Sequence, residues 1–282
     1  MSSSSEYAVF ATAWLRVANR IRRSGLTPAL LGVTGWTMKS SLSVSALVFL
    51  AVGVWCATAA SLDAGLPNIA QFQTNRSDRF LVDLQYVCAG HPFKGRRAFE
   101  PHQGAHVHWD NSTNTWPKGG AAASNYPAIY AVADGYVDRV DYSFKVGTND
   151  RYGVSIAFAK DGATVYSFCG GIEPMIPEPG PGFYRRFILV SEGQRVRKGD
   201  IIAYMYLPPG AGAGSHIHFH IQAQNGGAFM APAIFSDDVV KGFHARWNGF
   251  GRDGATEMAA CTGYLLEADE NPFGTGAADV LK

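Results

Sequence analysis

Tyr152-Gly-Val-Ser-Ile-Ala-Phe-Ala-Lys-Asp-Gly-Ala-Thr-Val-Tyr-Ser-Phe168 decides the fold. Two alternating runs, Tyr152–Phe158 and Ala163–Phe168, flank Lys160-Asp-Gly162. Alternation at period two buries one face of a strand, and Asp-Gly is turn chemistry, so the stretch predicts a β-hairpin. Working outward, residues 128–140 give two short strands around Asp134-Gly135, read as a second hairpin-type turn. Phe80–Val87, Phe187–Val190, Gln194–Val196 and Asp200–Tyr206 read as further strands. Between them lie His91–Arg97, residues 110–127, the four-proline stretch 172–184 and the glycine-rich 208–215, all read as loops. Phe235 to Phe250 reads as a helix and 267–282 as a tail. The expectation is an all-β fold, mainly antiparallel, with irregular loops and a short C-terminal helical extension. No internal repeat is visible.

The chain has 282 residues, 47% of them hydrophobic and 17% charged, enough to build a core. Gly 32 and Pro 14 fit a fold with many turns. The net charge of +1, with no basic block interleaved with aromatics, argues against nucleic acid as a partner. Cys88, Cys169 and Cys261 form no C-x-x-C pair, which disfavours a cysteine zinc site. In an oxidising compartment the three predict one disulfide and one leftover thiol, with the pairing open.

Six of the eight histidines fall in two short stretches, His102-Gln-Gly-Ala-His106-Val-His108-Trp-Asp110 and His216-Ile-His218-Phe-His220. Histidine is the commonest protein ligand for zinc. If the second stretch is a strand, His216, His218 and His220 share one face. The first stretch presents His102, His106 and Asp110 in the same way. Two such strands in contact would close a three- or four-ligand metal site. His91 and His244 read as structural or exposed, and His108 and His220 are equally open to a functional and a bland reading.

Residues 43–56 form an uncharged, mostly apolar run followed by Ala57-Thr58-Ala59, the pattern of a secretory signal and its cleavage site. Met38-Lys39 would start a signal of ordinary length, leaving 1–37 as a mis-assigned start or a cytoplasmic extension. The alternative keeps 43–56 as a membrane anchor, with Arg16, Arg20, Arg22, Arg23 and Lys39 on the cytoplasmic side. The expectation is an exported protein, periplasmic or extracellular, touching a membrane only through an uncleaved N-terminal segment. The segments are 1–60 (extension plus signal or anchor), 61–99 (lead), 100–222 (main domain) and 223–282 (C-terminal extension).

Four motifs in order resemble peptidase family M23, the lysostaphin-like or LytM-type zinc endopeptidases. They are His102-Gln-Gly-Ala-His106, Tyr130-Ala-Val-Ala-Asp-Gly135, Gly193-Gln-Arg-Val-Arg-Lys-Gly-Asp-Ile-Ile202 and His216-Ile-His-Phe-His220. The likeness covers about residues 100–222. It implies a LytM-like antiparallel sheet, related to barrel-sandwich-hybrid folds, with a groove over a metal. It also implies a zinc metallopeptidase that hydrolyses a peptide bond in peptidoglycan cross-links or small peptides. Its implied zinc ligands are His102, His106 and His218. His216 is its implied catalytic residue, holding or deprotonating the metal-bound water or stabilising the oxyanion. Zinc lowers the pKa of such a water to roughly 7.

Three departures accompany the likeness. His106 stands where the family has an aspartate, and an alternative register pairs His106 with Asp110 instead. Phe168, in Tyr166-Ser-Phe168-Cys169, falls where the family has a second histidine, and phenylalanine accepts no proton. His220 replaces a glutamate. Phe168 motivates a rival reading in which a catalytically degenerate module of the same fold binds envelope components or regulates a partner. Cys169, beside the implied site, reads as a buried thiol or disulfide, or as a redox or ligand group.

Overall fold

The computed structural model describes residues 62–93, 103–117, 121–146, 149–174, 182–210, 214–227, 229–246 and 268–273. The signal or anchor reading of 1–60, the implied ligand His102, Cys261 and most of the 267–282 tail lie outside these residues. Among the described residues no helix is long and apolar enough to cross a membrane.

The fold is mainly antiparallel β. Seven strands form one sheet in the order β1-β2-β9-β6-β5-β4-β7. They are β1 (Ala89–His91), β2 (Ala105–His108), β4 (Gly135–Val146), β5 (Asn149–Asp161), β6 (Thr164–Glu173), β7 (Arg195–Val196) and β9 (His216–Ala223). The strands β3 (Ala128–Tyr130) and β8 (Ile201–Tyr204) pair separately. Among the described residues one α-helix, α1 (Asp237–His244), follows the last strand.

The hairpin read from Tyr152–Phe168 is present as β5 and β6. Asp161 pairs with Thr164 across a two-residue turn in which Gly162 has φ +55°, a conformation that favours glycine. Asp134-Gly135 is a different matter. The strands on either side of it, β3 and β4, sit in different sheets, so the dipeptide turns a corner and closes no hairpin. Pairing is a long-range choice: Gly135 lies against Val196 of β7, and Ile129 against Ala203 of β8. A Cβ on Gly135 would overlap the carbonyl oxygen of Ala157 on β5. Backbone cannot step aside as a side chain tip can, so Gly135→Ala should lose about 2–3 kcal/mol of stability, read as a lower urea midpoint.

Phe80–Val87 is not a strand. Val82 makes a single bridge to Ile129, and Leu84–Tyr86 turns as a 3-10 helix. Polar anchors hold this bend: Arg79 pairs with Asp83 at 3.0 Å and lies 3.4 Å over the Tyr130 ring, whose hydroxyl donates to Asp83. Two loop readings also shift. The strand β1 runs into His91, and β6 continues through Gly170-Gly171 to Glu173. Ile188 contributes only a single bridge, to Ala203, after a 3-10 turn at Tyr184–Phe187.

The large sheet has one apolar face. Val154 and Ile156 of β5, Phe168 and Ile172 of β6, Ile217, Phe219 and Ile221 of β9, and Ala105 and Val107 of β2 are all buried in one cluster. Ile129, Ala203 and Met205 join from the side of the small sheet. The predicted C-terminal helix shares this core: Phe243 lies 5.3 Å from Phe80 and 6.1 Å from Phe219, ring centre to ring centre. Burial of each such ring contributes about 1.5–3 kcal/mol. The core therefore fixes β9 from one side and leaves its other face to the histidines.

Candidate functional site

β2 and β9 are antiparallel neighbours, and their register sets His106 opposite His218 and His108 opposite His216. Directly opposed residues on one face stand with Cβ atoms about 4.5–5.5 Å apart. Because i and i+2 share a face, His106, His108, His216, His218 and His220 form one imidazole array on the face away from the core. Ring centres of each opposed pair are 4.9 Å apart. His106 Nε2 and His218 Nδ1 approach to 3.2 Å. His220 lies 5.2 Å from His218 and stacks on Phe229 at 3.9 Å. His106, His108, His218 and His220 are buried, and His216 is partly exposed.

The array needs a glycine. A Cβ on Gly104 would fall on the His218 ring, meeting Cε1, Nε2 and Nδ1 together. The glycine in His102-Gln-Gly-Ala-His106 thus makes room for the ring arriving from β9. Gln103 beside it donates to Glu270 at 2.8 Å, which ties the C-terminal segment to this end of β2.

The next strand adds Glu173, which the loop reading of 172–184 concealed. On β6, Cys169 faces His220, Gly171 faces His218 and Glu173 faces His216. Glu173 is 2% exposed; one oxygen lies 3.0 Å from His216 Nε2 and the other 2.8 Å from Arg151 Nε. His216 Nδ1–H donates to the Gly214 carbonyl at 2.7 Å. The alternation Cys169, Gly171, Glu173 was the available signal, and Pro174 with the prolines after it masked the strand's end. Cys169 is a buried thiol whose hydrogen points weakly to the Ser167 carbonyl, and burial pushes its pKa up to about 11.

Phe168 is not in the array. It pairs with Ile221, on the parity of the apolar face, and packs 6.0 Å from Phe219 and 5.9 Å from Phe235. Its phenylalanine therefore fills the apolar core. Phe168→His should gain no hydrolysis and lose about 2–4 kcal/mol, because an imidazole would be buried among aromatics. Denaturant unfolding beside a hydrolysis assay checks both halves.

Asp110 is also elsewhere. β2 ends at His108, and the exposed Asp110 carboxylate accepts from the Ser112 backbone N–H at 2.7 Å, closing a turn. Hydrogen bonds from Ser112 hold its pKa below the usual carboxylate value. The alternative register through Asp110 is not formed. Of the two remaining histidines, His91 stands at the register position opposite His106, and His244 closes α1, where burial lowers its pKa.

Among the described residues, no three His, Cys, Asp or Glu side chains are grouped so as to hold a metal ion on their own. His106 and His218 supply two nitrogen donors, and the third implied ligand, His102, lies outside those residues. Two ligands of a tetrahedral zinc with bonds of 2.0–2.1 Å stand roughly 3.3 Å apart. The 3.2 Å separation of His106 and His218 matches that edge, and it equally suits a hydrogen bond between imidazoles.

The fold and site define a mainly antiparallel β protein with an imidazole-lined sheet face. No family model matches the chain, and no curated protein matches it.

Proposed function

We propose that this protein is an exported zinc-dependent peptide hydrolase that cuts peptidoglycan cross-links or another small peptide. The observation that carries the reading is the meeting of His106 and His218 across β2 and β9, with donor nitrogens 3.2 Å apart over Gly104. The motif order shared with the M23 peptidases supports it from the sequence side. In this reading His102, His106 and His218 hold the zinc, and His216 works beside it. Zinc, when bound, supplies Lewis acidity and brings the pKa of a water at the site to roughly 7. The chain's own residues supply the rest. The apolar face packs β9 rigidly, Gly104 leaves space for the His218 ring, and the His108–His216 stack orients the neighbouring imidazole.

Elemental analysis of the purified full chain tests the metal, with His102→Ala alongside. About one zinc per chain, lost in the variant, is the expected result. Hydrolysis of peptidoglycan peptides by the loaded wild type is the second arm. A chain that takes up no zinc when zinc is supplied overturns the reading.

A second reading is a non-catalytic module of the same fold at the cell envelope. The hydrogen bond of His216 Nδ1 to the Gly214 carbonyl and the buried Glu173 carboxylate 3.0 Å from Nε2 favour it, whereas Phe168, packed in the core, does not. A zinc-loaded chain with no hydrolysis of peptidoglycan peptides would favour this second reading.

A further inference from the structure

We infer that Gly171 holds open a gap one side chain wide beside His218, and that this gap receives a methyl-sized side chain of a bound peptide.

Register makes the gap. Gly171 of β6 pairs with His218 of β9 on one side and with Gly153 of β5 on the other, and Gly153 pairs with Asp141 of β4. Directly paired residues share a face, so one row across the sheet runs His106, His218, Gly171, Gly153, Asp141. Along β6 the neighbours on that face are Cys169 and Glu173, both buried. Gly171 between them is partly exposed. The space over Gly153 is taken, since a Cβ there would lie 3.2 Å from Asp141 Oδ2. The space over Gly171 is not. Among the described residues, a Cβ on Gly171 would meet nothing nearer than the His218 carbonyl oxygen at 3.5 Å and His218 Cβ at 3.8 Å. His218, Cys169, Glu173 and the Asp141 carboxylate therefore wall a gap in which one side chain is missing. A methyl group in it touches His218 at ordinary van der Waals distance.

The fold does not ask for this glycine. Gly171 lies inside a strand, its φ is not positive, and the pairing of β6 with β5 and β9 runs past it without a bulge. Glycine weakens a strand interior, and close approach of a ligand is one of the few uses that repay it there. Glu173 points to the same ligand. Its side chain is 2% exposed, yet Oε1 accepts no hydrogen bond among the described residues; His216 Nε2, 3.0 Å away, is not aligned to give one. A buried carboxylate oxygen without a donor is costly, and a peptide whose side chain enters the gap brings a backbone N–H to this edge.

The gap stands on this geometry; its role in choosing the residue beside the cut bond rests on the proposed function. NMR titration of the metal-free full chain with tetraalanine and with tetraglycine tests it without turnover. The wild type should favour tetraalanine. In Gly171→Ala the protein's own methyl fills the gap, and the alanine-to-glycine affinity ratio should fall by roughly 10-fold or more, as one carbon in a pocket discriminates about 10–200-fold. An unchanged ratio, or a wild type that binds neither peptide or prefers tetraglycine, overturns the inference. The variant should keep or raise the urea midpoint, and a lower midpoint would assign the glycine to packing and overturn it as well. The proposed function fails separately. Peptide binding with no hydrolysis when zinc is supplied would sink the peptidase and leave the gap. Hydrolysis with the same alanine-to-glycine ratio of kcat/KM in wild type and Gly171→Ala would do the reverse.

Discussion

If the proposed zinc site is real, replacing His218 with alanine should abolish zinc binding and any hydrolysis that zinc supports. His218 sits at the centre of the array, opposite His106 and between His216 and His220 on β9. Its loss leaves His106 without its 3.2 Å neighbour. The folding cost should be modest, since one hydrogen bond contributes about 0.5–1.5 kcal/mol net and the apolar face of β9 is untouched. The two effects separate in thermal melts. On the proposed function, zinc at about 100 times its Kd should add roughly 2.7 kcal/mol to the wild type and raise its Tm. The variant should melt at the same temperature with and without zinc. A zinc-dependent Tm retained in His218→Ala would remove this residue from the ligand set.

Gly104→Ala should be almost as damaging to the proposed zinc site, although it deletes none of its implied ligands. The added Cβ would occupy the space of the His218 imidazole. Either the ring leaves its place beside His106 or the strand end at Ala105 shifts. Overpacking of this kind costs about 1–3 kcal/mol, and displacing a ligand's support typically costs 10–100-fold in metal affinity. Zinc titration of Gly104→Ala against wild type measures the second quantity directly. Wild-type affinity in a folded Gly104→Ala would show that the ring tolerates another position and that the glycine is not needed for the site.

Much of this was legible in the residues. The Tyr152–Phe168 hairpin follows from alternation and Asp-Gly chemistry, both local. The shared face of His216, His218 and His220 follows from the two-residue period of any strand, and β9 bears it out. The C-terminal helix was expected over Phe235 to Phe250, and Asp237–His244 falls within it. What motif spacing leaves open has a common form. Spacing sets Phe168 where the family has a histidine, and its parity on β6 points it at Phe219. Asp110 has the right spacing from His106, yet the strand stops at His108 and the carboxylate caps a turn. Glu173 was hidden by the prolines that follow it. Phe80–Val87 has strand composition, but its polar anchors, Arg79, Asp83 and Tyr130, bend it into the core.

The sequence by itself determined a mainly antiparallel β protein, one long hairpin, and a strand with three histidines on one side. Those features depend on near neighbours along the chain, where turn geometry and side-chain alternation act directly. Only the tertiary structure decided that β2 lies beside β9, that β6 brings Glu173 to His216, and that Phe168 belongs to the core. These choices depend on register between strands distant in sequence. A one-residue slip would exchange the faces, and the packing of Phe219 against Phe80, Phe168 and Phe243 holds the register that turns the histidines together.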